Sequence, residues 1–222
     1  MKSLFQPIIS FVYDYICLPT YFFIVYFRDL NKIHKAYGEF ESMSKADIIK
    51  YTLRFEGKAK NVCGLMVGEM MKSVMDLPFK PKHIYLDGDN SAIKKQFKQW
   101  LDLPDADIVT AGYGKEYDFF WDYENDPPKK LPGNYDLIIS QSIVEHLIDP
   151  YKHFVDLAKL LKKGGVIMFQ TDMPGFTYHR FPIDTLRFFP DWFEAVGKKL
   201  NLKVIRRFQR DFNVIYVFQK IK

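Results

Sequence analysis

Cysteine is almost missing from this chain: 222 residues hold two, Cys17 and Cys63, far apart and outside any CxxC pairing. A disulfide framework or a cysteine-built zinc site is thereby excluded, no metal site is expected, and a reducing cytosol is the expected compartment. Nor is there an excess of one charge. Lysine and arginine number 32 against 27 acids, with the two signs interspersed. Without a basic tail or an arginine-rich block, dedicated nucleic-acid binding is not expected. An unbroken apolar run is lacking too. From Leu4 to Phe27 the one charged residue is Asp14, but Pro19 interrupts the stretch near its middle, whereas a spanning helix needs about 20 apolar residues in succession. A secretory leader is not expected, since Lys2 is the single early positive charge and no small-residue cleavage site follows it. Repeats and low-complexity tracts are missing as well.

Aromatics are abundant, at 17% of the chain. They gather in the first thirty residues and again from Phe176 to Phe193. Residues 1–43 read as an aromatic-rich helical segment in which the run Tyr21 to Phe27 is followed at once by Arg28, Lys32 and Lys35. Two readings stay open: helices packed as a lid or a homodimer surface, or an interfacial anchor in peripheral contact with a membrane, its rings in the headgroup zone and its basic residues behind. The rest, 44–222, is long and apolar enough for one core.

Ser44 and Asp47 resemble a capping box ahead of the helical pattern Ile48, Ile49, Tyr51 and Leu53. From there short apolar runs alternate with amphipathic stretches. Asn61 to Val67 reads as a first strand ending at Gly68, and Ile84 to Leu86 as a second ending at Asp87-Gly88-Asp89. Asn90 is placed to cap the next helix, which carries Ile93, Phe97, Trp100 and Leu101 at helical spacing. Ile108 to Thr110 and Tyr135 to Ser140 read as further strands. Asp149-Pro150 opens a helix with Phe154, Leu157, Ala158 and Leu161 on one face, Gly164-Gly165 stops it, and Val166 to Gln170 is a fifth strand. Pro190 starts a last helix, and two β-rich runs follow, Leu202 to Phe208 and Phe212 to Phe218. The proline-rich stretch from Glu124 to Gly133 reads as a loop. This rhythm predicts an α/β fold: a doubly wound, mostly parallel seven-stranded sheet with helices on both faces and a C-terminal antiparallel hairpin. Ligands in such sheets sit outside the carboxyl ends of the strands. That points to Gly68, Asp87 to Asp89, Ala111 to Tyr113, Ser140 to Ser142 and Thr171 to Met173.

The stretch Tyr135 to Thr171, YDLIISQSIVEHLIDPYKHFVDLAKLLKKGGVIMFQT, resembles the middle of a class I S-adenosylmethionine-dependent methyltransferase, and with its flanks the resemblance runs from Lys60 to Lys220. It implies S-adenosyl-L-methionine as cofactor. Gly68 matches the glycine turn after the family's first strand, with Glu69 beside it, although the usual acidic position holds Met66. Asp87, with Gly88 next to it and Asp89 as the alternative, matches the acid that accepts hydrogen bonds from ribose hydroxyls. Gln141 and Ser142 follow the fourth strand, where cofactor contacts are common. Glu145 and His146 are open to a functional or a capping role.

On the acceptor side, Tyr178 to Phe188 is similar to a His-x-Tyr/Phe-Pro-x-Asp-x-x-Arg pattern in methyltransferases associated with surface-polysaccharide biosynthesis. The resemblance implies a small-molecule or glycan acceptor and methylation of a sugar hydroxyl. Removing a hydroxyl proton suits a histidine, so His179 is the candidate base, with Asp184 and Arg187 orienting it or gripping the acceptor. A structural ion pair between those two is an equal reading. Two other functions stay open. Asp87-Gly88-Asp89 resembles the metal and nucleotide-sugar signature of glycosyltransferases, and the weak match after the first strand is compatible with an inactive, methyltransferase-like interaction protein.

Overall fold

The computed structural model describes residues 62–89, 91–180, 182–210 and 212–221, with isolated positions 16, 20, 21, 24, 28, 32, 35 and 36. The chain divides into two compact units, 1–40 and 41–222. Among the described residues of the first, those from Thr20 to Ala36 are helical. No described helix is long and apolar enough to cross a membrane. The expected lid, dimer surface or anchor, the capping box at Ser44 and the cap at Asn90 lie outside the described residues.

The second unit runs α1 (Val62–Met75), β1 (His83–Asp87), α2 (Ile93–Leu101), β2 (Asp107–Gly112), β3 (Phe119–Phe120), β4 (Tyr135–Gln141), a 3-10 turn (Val144–His146), α3 (Pro150–Leu160), β5 (Leu161–Asp172), α4 (Pro190–Lys199), β6 (Leu202–Arg210) and β7 (Asn213–Lys220). The seven strands form one sheet in the order β3-β2-β1-β4-β5-β7-β6. All pairings are parallel except those of β7 with β5 and β6. The expected fold class is therefore present, with a different set of strands. Asn61 to Val67 is not a strand: from Val62 it belongs to α1, whose Met70, Met71 and Val74 recur at helical spacing in the core. A short apolar run has no period of its own, and here the residues after it decide. β1 is thus the strand ending at Asp87. The seventh strand is the two-residue β3, too short to show alternation.

Strand alternation separates two chemistries. On one face the aliphatic residues Ile84, Leu86, Leu137, Ile139 and Met168 meet α1 and α2. On the other, α3 and α4 cover a stack of rings. Phe154 lies on Phe169 with centroids 4.0 Å apart, and Phe193 on Tyr216 at 4.8 Å. Each such ring contributes roughly 2 to 3 kcal/mol by leaving water. Helix starts follow local chemistry: the Asp149 side chain accepts from the Lys152 N–H ahead of Pro150, and Pro190 fixes the first turn of α4. β5 begins at Leu161, so it passes through Gly164-Gly165 rather than starting after them.

Candidate functional site

Chain order reverses between β1 and β4: the chain steps outward from β1 to β3, then returns to place β4 on the other side of β1. A crevice opens at the carboxyl ends of such neighbours. Here it is a cavity of about 350 Å³ whose walls include Gly88, Gly112, Tyr117, Ser142, Ile143 and His146. Gly88 leaves β1 with φ +77°, and a Cβ there would meet the Ile143 Cδ1 at 2.2 Å. Only glycine serves at that point. Tyr117 donates its hydroxyl to the Gly88 carbonyl at 3.1 Å, and Tyr123 donates to that of Ala111 at 2.8 Å. Across the crevice, Ser142 sits at φ 51° and bonds Gln170 through its backbone N–H and its hydroxyl. A serine in that region carries strain, which is usual at ligand sites.

Of the residues expected to hold a cofactor, Gly88 and Ser142 line this cavity and Gln141 is the last residue of β4 beside it. Gly68 is corrected: it is buried inside α1, at no strand end, and Glu69 belongs to the same helix with its side chain outside the described residues. Asp87 ends β1 rather than the second strand, and it faces α3. Its Oδ1 accepts from the Tyr85 hydroxyl at 2.9 Å, its Oδ2 lies 2.8 Å from the His153 Nε2, and the residue is 1% exposed. Asp87 is thus turned toward α3 and is not among the residues that line the cavity. Asp89 is the half-buried carboxyl that follows, pushed up to about 6 by burial and then by Asp87. Tyr117, Tyr123 and Ile143 were not legible as site residues, because they come from three loops with no common motif. Gly112 was signalled by its place after an expected strand.

The acceptor side is a second cluster, built on the 3-10 turn after β4 and the segment after β5. Thr185 fastens the two together, its N–H and hydroxyl both donating to the Glu145 carbonyl at 2.9 and 2.7 Å. Glu145 itself is fully buried. Its Oε2 accepts from the Thr171 hydroxyl at 2.6 Å, and its carboxyl is pushed up by burial. Asp172, the last residue of β5, is pushed up to about 7 by burial and then by Glu145. His179 stands 3.5 Å from it through Nε2. Asp184 accepts the His179 backbone N–H at 2.7 Å and is gripped by both terminal nitrogens of Arg187, which hold its carboxyl well below the usual range. The structure therefore brings His179, Asp184 and Arg187 together, with Glu145, His146 and Asp172 against them. Asp172 had only its place after a strand to signal it.

No protein-family model and no curated protein matches the chain. Solved structures do. A S-adenosylmethionine-dependent methyltransferase from Aquifex aeolicus aligns with TM-score 0.53 and 11% identity over 81% of this chain and 100% of that one. The Burkholderia thailandensis 1,6-didemethyltoxoflavin-N1-methyltransferase, with its substrate and S-adenosylhomocysteine bound, aligns with TM-score 0.50 and 9% identity over 82% and 93%. The CurJ carbon methyltransferase aligns with TM-score 0.54 and 13% identity over 80% of this chain, which spans 59% of that structure's length. At such identities the likeness is one of fold: this chain has the Rossmann-like sheet of the S-adenosylmethionine-dependent methyltransferases.

Proposed function

We propose that the chain transfers a methyl group from S-adenosylmethionine to a small acceptor, and that the acceptor atom is a sugar hydroxyl. The observation that carries this reading is the cavity at the β1–β4 crevice with the acid and imidazole cluster on its β4–β5 side. About 350 Å³ is enough for a nucleoside-sized ligand. The residues present fit the cofactor: Gly88 lets the backbone come close, Tyr117 offers a flat ring and Ile143 an aliphatic wall to an adenine, and Asp89 sets a carboxyl just past the end of β1 for a cationic methionine end. When bound, S-adenosylmethionine supplies a methyl group activated on a sulfonium.

The chain's own residues then have three tasks. Gly88 and Ser142 shape the floor, the ring-lined walls exclude water, and the acceptor-side cluster takes the proton that a hydroxyl must lose as its oxygen attacks. His179 is its half-exposed ring at that position, and Asp184 orients it through the backbone while Arg187 holds Asp184. A general base of this kind contributes about 100-fold to 10,000-fold in rate. Support for a sugar comes from the pattern around His179 and from the aromatic rings next to it. A cytosolic location belongs to the same reading, with residues 1–43 serving either as a lid or homodimer surface or as a peripheral membrane contact.

Calorimetric titration with S-adenosylhomocysteine tests it. One-site binding is expected, with His179→Ala binding as the wild type while transfer to a glycan acceptor falls at least about 100-fold. A chain that does not bind S-adenosylhomocysteine is an interaction protein with a methyltransferase fold. Unchanged transfer by His179→Ala discards the base.

A further inference from the structure

We propose that Glu145, His146 and His179 hold a divalent first-row metal ion at the edge of the cavity. One ligand atom from each lies within 4.8 Å of the others. The two imidazoles meet edge-on, with centroids 4.9 Å apart. Backbone carbonyls set both tautomers: Nδ1 of His146 bonds the Ile183 carbonyl, and Nδ1 of His179 lies 3.2 Å from that of Thr177. A carbonyl only accepts, so each Nδ1 carries the proton and each Nε2 presents a lone pair. A carbonyl on the far nitrogen is the usual support of a metal-bound imidazole, and here it occurs twice in one cluster.

The carboxylates supply a second, independent observation. Glu145 is 0% exposed, and its Oε1 has no hydrogen-bond partner among the described residues. Asp172 is 2% exposed, and its Oδ2 has no hydrogen bond but stands 3.5 Å from the His179 Nε2. Buried carboxylate oxygens are seldom left so, because they forgo water with nothing in return. Arg187 gives its terminal nitrogens to Asp184 and to the carbonyls of Leu186 and Thr177, and its buried Nε has no hydrogen-bond partner among the described residues. A cation among the two imidazoles and Glu145 answers the deficit at the Glu145 Oε1. Two histidines and one carboxylate suit manganese, iron, cobalt, nickel or zinc better than magnesium or calcium.

His146 also lines the cavity, so an oxygen bound there reaches the ion. With the ion in place the metal takes up the Nε2 lone pair of His179, so the ion, in place of a free imidazole base, eases the loss of the acceptor hydroxyl's proton. That consequence rests on the methyl-transfer reading, whereas the presence of the ion does not.

The test uses the full chain, stripped with a chelator and titrated with Co2+ in the absence of cofactor and acceptor. Visible absorption and metal analysis are expected to show one ion per chain. Glu145→Gln, which keeps the buried shape, and His179→Ala, at a half-exposed site, should each weaken Co2+ binding at least about tenfold with circular dichroism unchanged. No retained ion in the wild type, or variants that bind Co2+ as the wild type does, overturns the site. Because the titration needs no cofactor, its failure is separate from a failure to bind S-adenosylhomocysteine.

Discussion

Asp89 is where one carboxyl most directly sets a measurable property of the molecule. Burial and the neighbouring Asp87 raise it from 3.8 to about 6, and the ring of Tyr117 is the other titratable group facing it. The sign follows from proton binding. Between those two values the folded chain holds a proton that the unfolded chain has released, so stability falls as pH rises through the interval. The contribution is complete below pH 3.8 and gone above about 6. Allowing for partial exposure, it amounts to about 2 kcal/mol. Urea denaturation at pH 4.5 and 7 should show a smaller loss in Asp89→Asn than in the wild type. Comparing the two separates Asp89 from Asp172, which shifts the same way to about 7. Equal losses in both chains would refute the assignment. The triplet Asp87-Gly88-Asp89 was legible in the sequence as a strand end with special backbone needs. Which way Asp87 turns was not, since its partner His153 is 66 positions away and one step of strand alternation decides the face.

Among the elements, α4 shows how closely helix and sheet approach. Gly197 lies inside this helix, and a Cβ there would meet the Phe218 Cε1 at 2.6 Å. That ring is itself wedged against Phe154 and Tyr216, with centroids 5.6 and 5.5 Å away. Two effects oppose each other on Gly197→Ala. Helix propensity favours alanine by about 1 kcal/mol, while overpacking a filled core costs about 1 to 3 kcal/mol. The fixed ring makes overpacking win, so the variant should melt below the wild type by scanning calorimetry; a higher melting temperature would show that Phe218 moves aside freely. The helices α3 and α4 and the β6–β7 hairpin were legible because proline, caps and long periodic runs mark them. α1 misled because its opening, Val62 to Val67, is as apolar as a buried strand, and its helical period emerges only at Met70, Met71 and Val74.

At the scale of the whole molecule, the candidate site exists because two segments far apart in sequence are joined over the sheet's rim. The sequence announces strands in chain order but not their order in space, so the crevice between β1 and β4 could be expected only by analogy with such sheets. Thr185 is the joint. Its one hydroxyl proton is shared between the carbonyls of Glu145 at 2.7 Å and Leu147 at 2.8 Å, which ties the segment carrying His179 to the turn carrying Glu145 and His146. Thr185→Val keeps the shape and the backbone N–H bond while removing both hydroxyl contacts, at a cost of about 1 to 2 kcal/mol. For a chain of this size that lowers the melting temperature by roughly 2 to 8 °C. If the joint positions the acceptor-side cluster, the same variant should lose methyl transfer well beyond its loss of folded protein while binding S-adenosylhomocysteine unchanged, because Gly88, at the end of β1, sits across the crevice from that cluster. A melting temperature that drops while transfer per folded molecule holds would mean that Thr185 stabilises the fold without aligning the site.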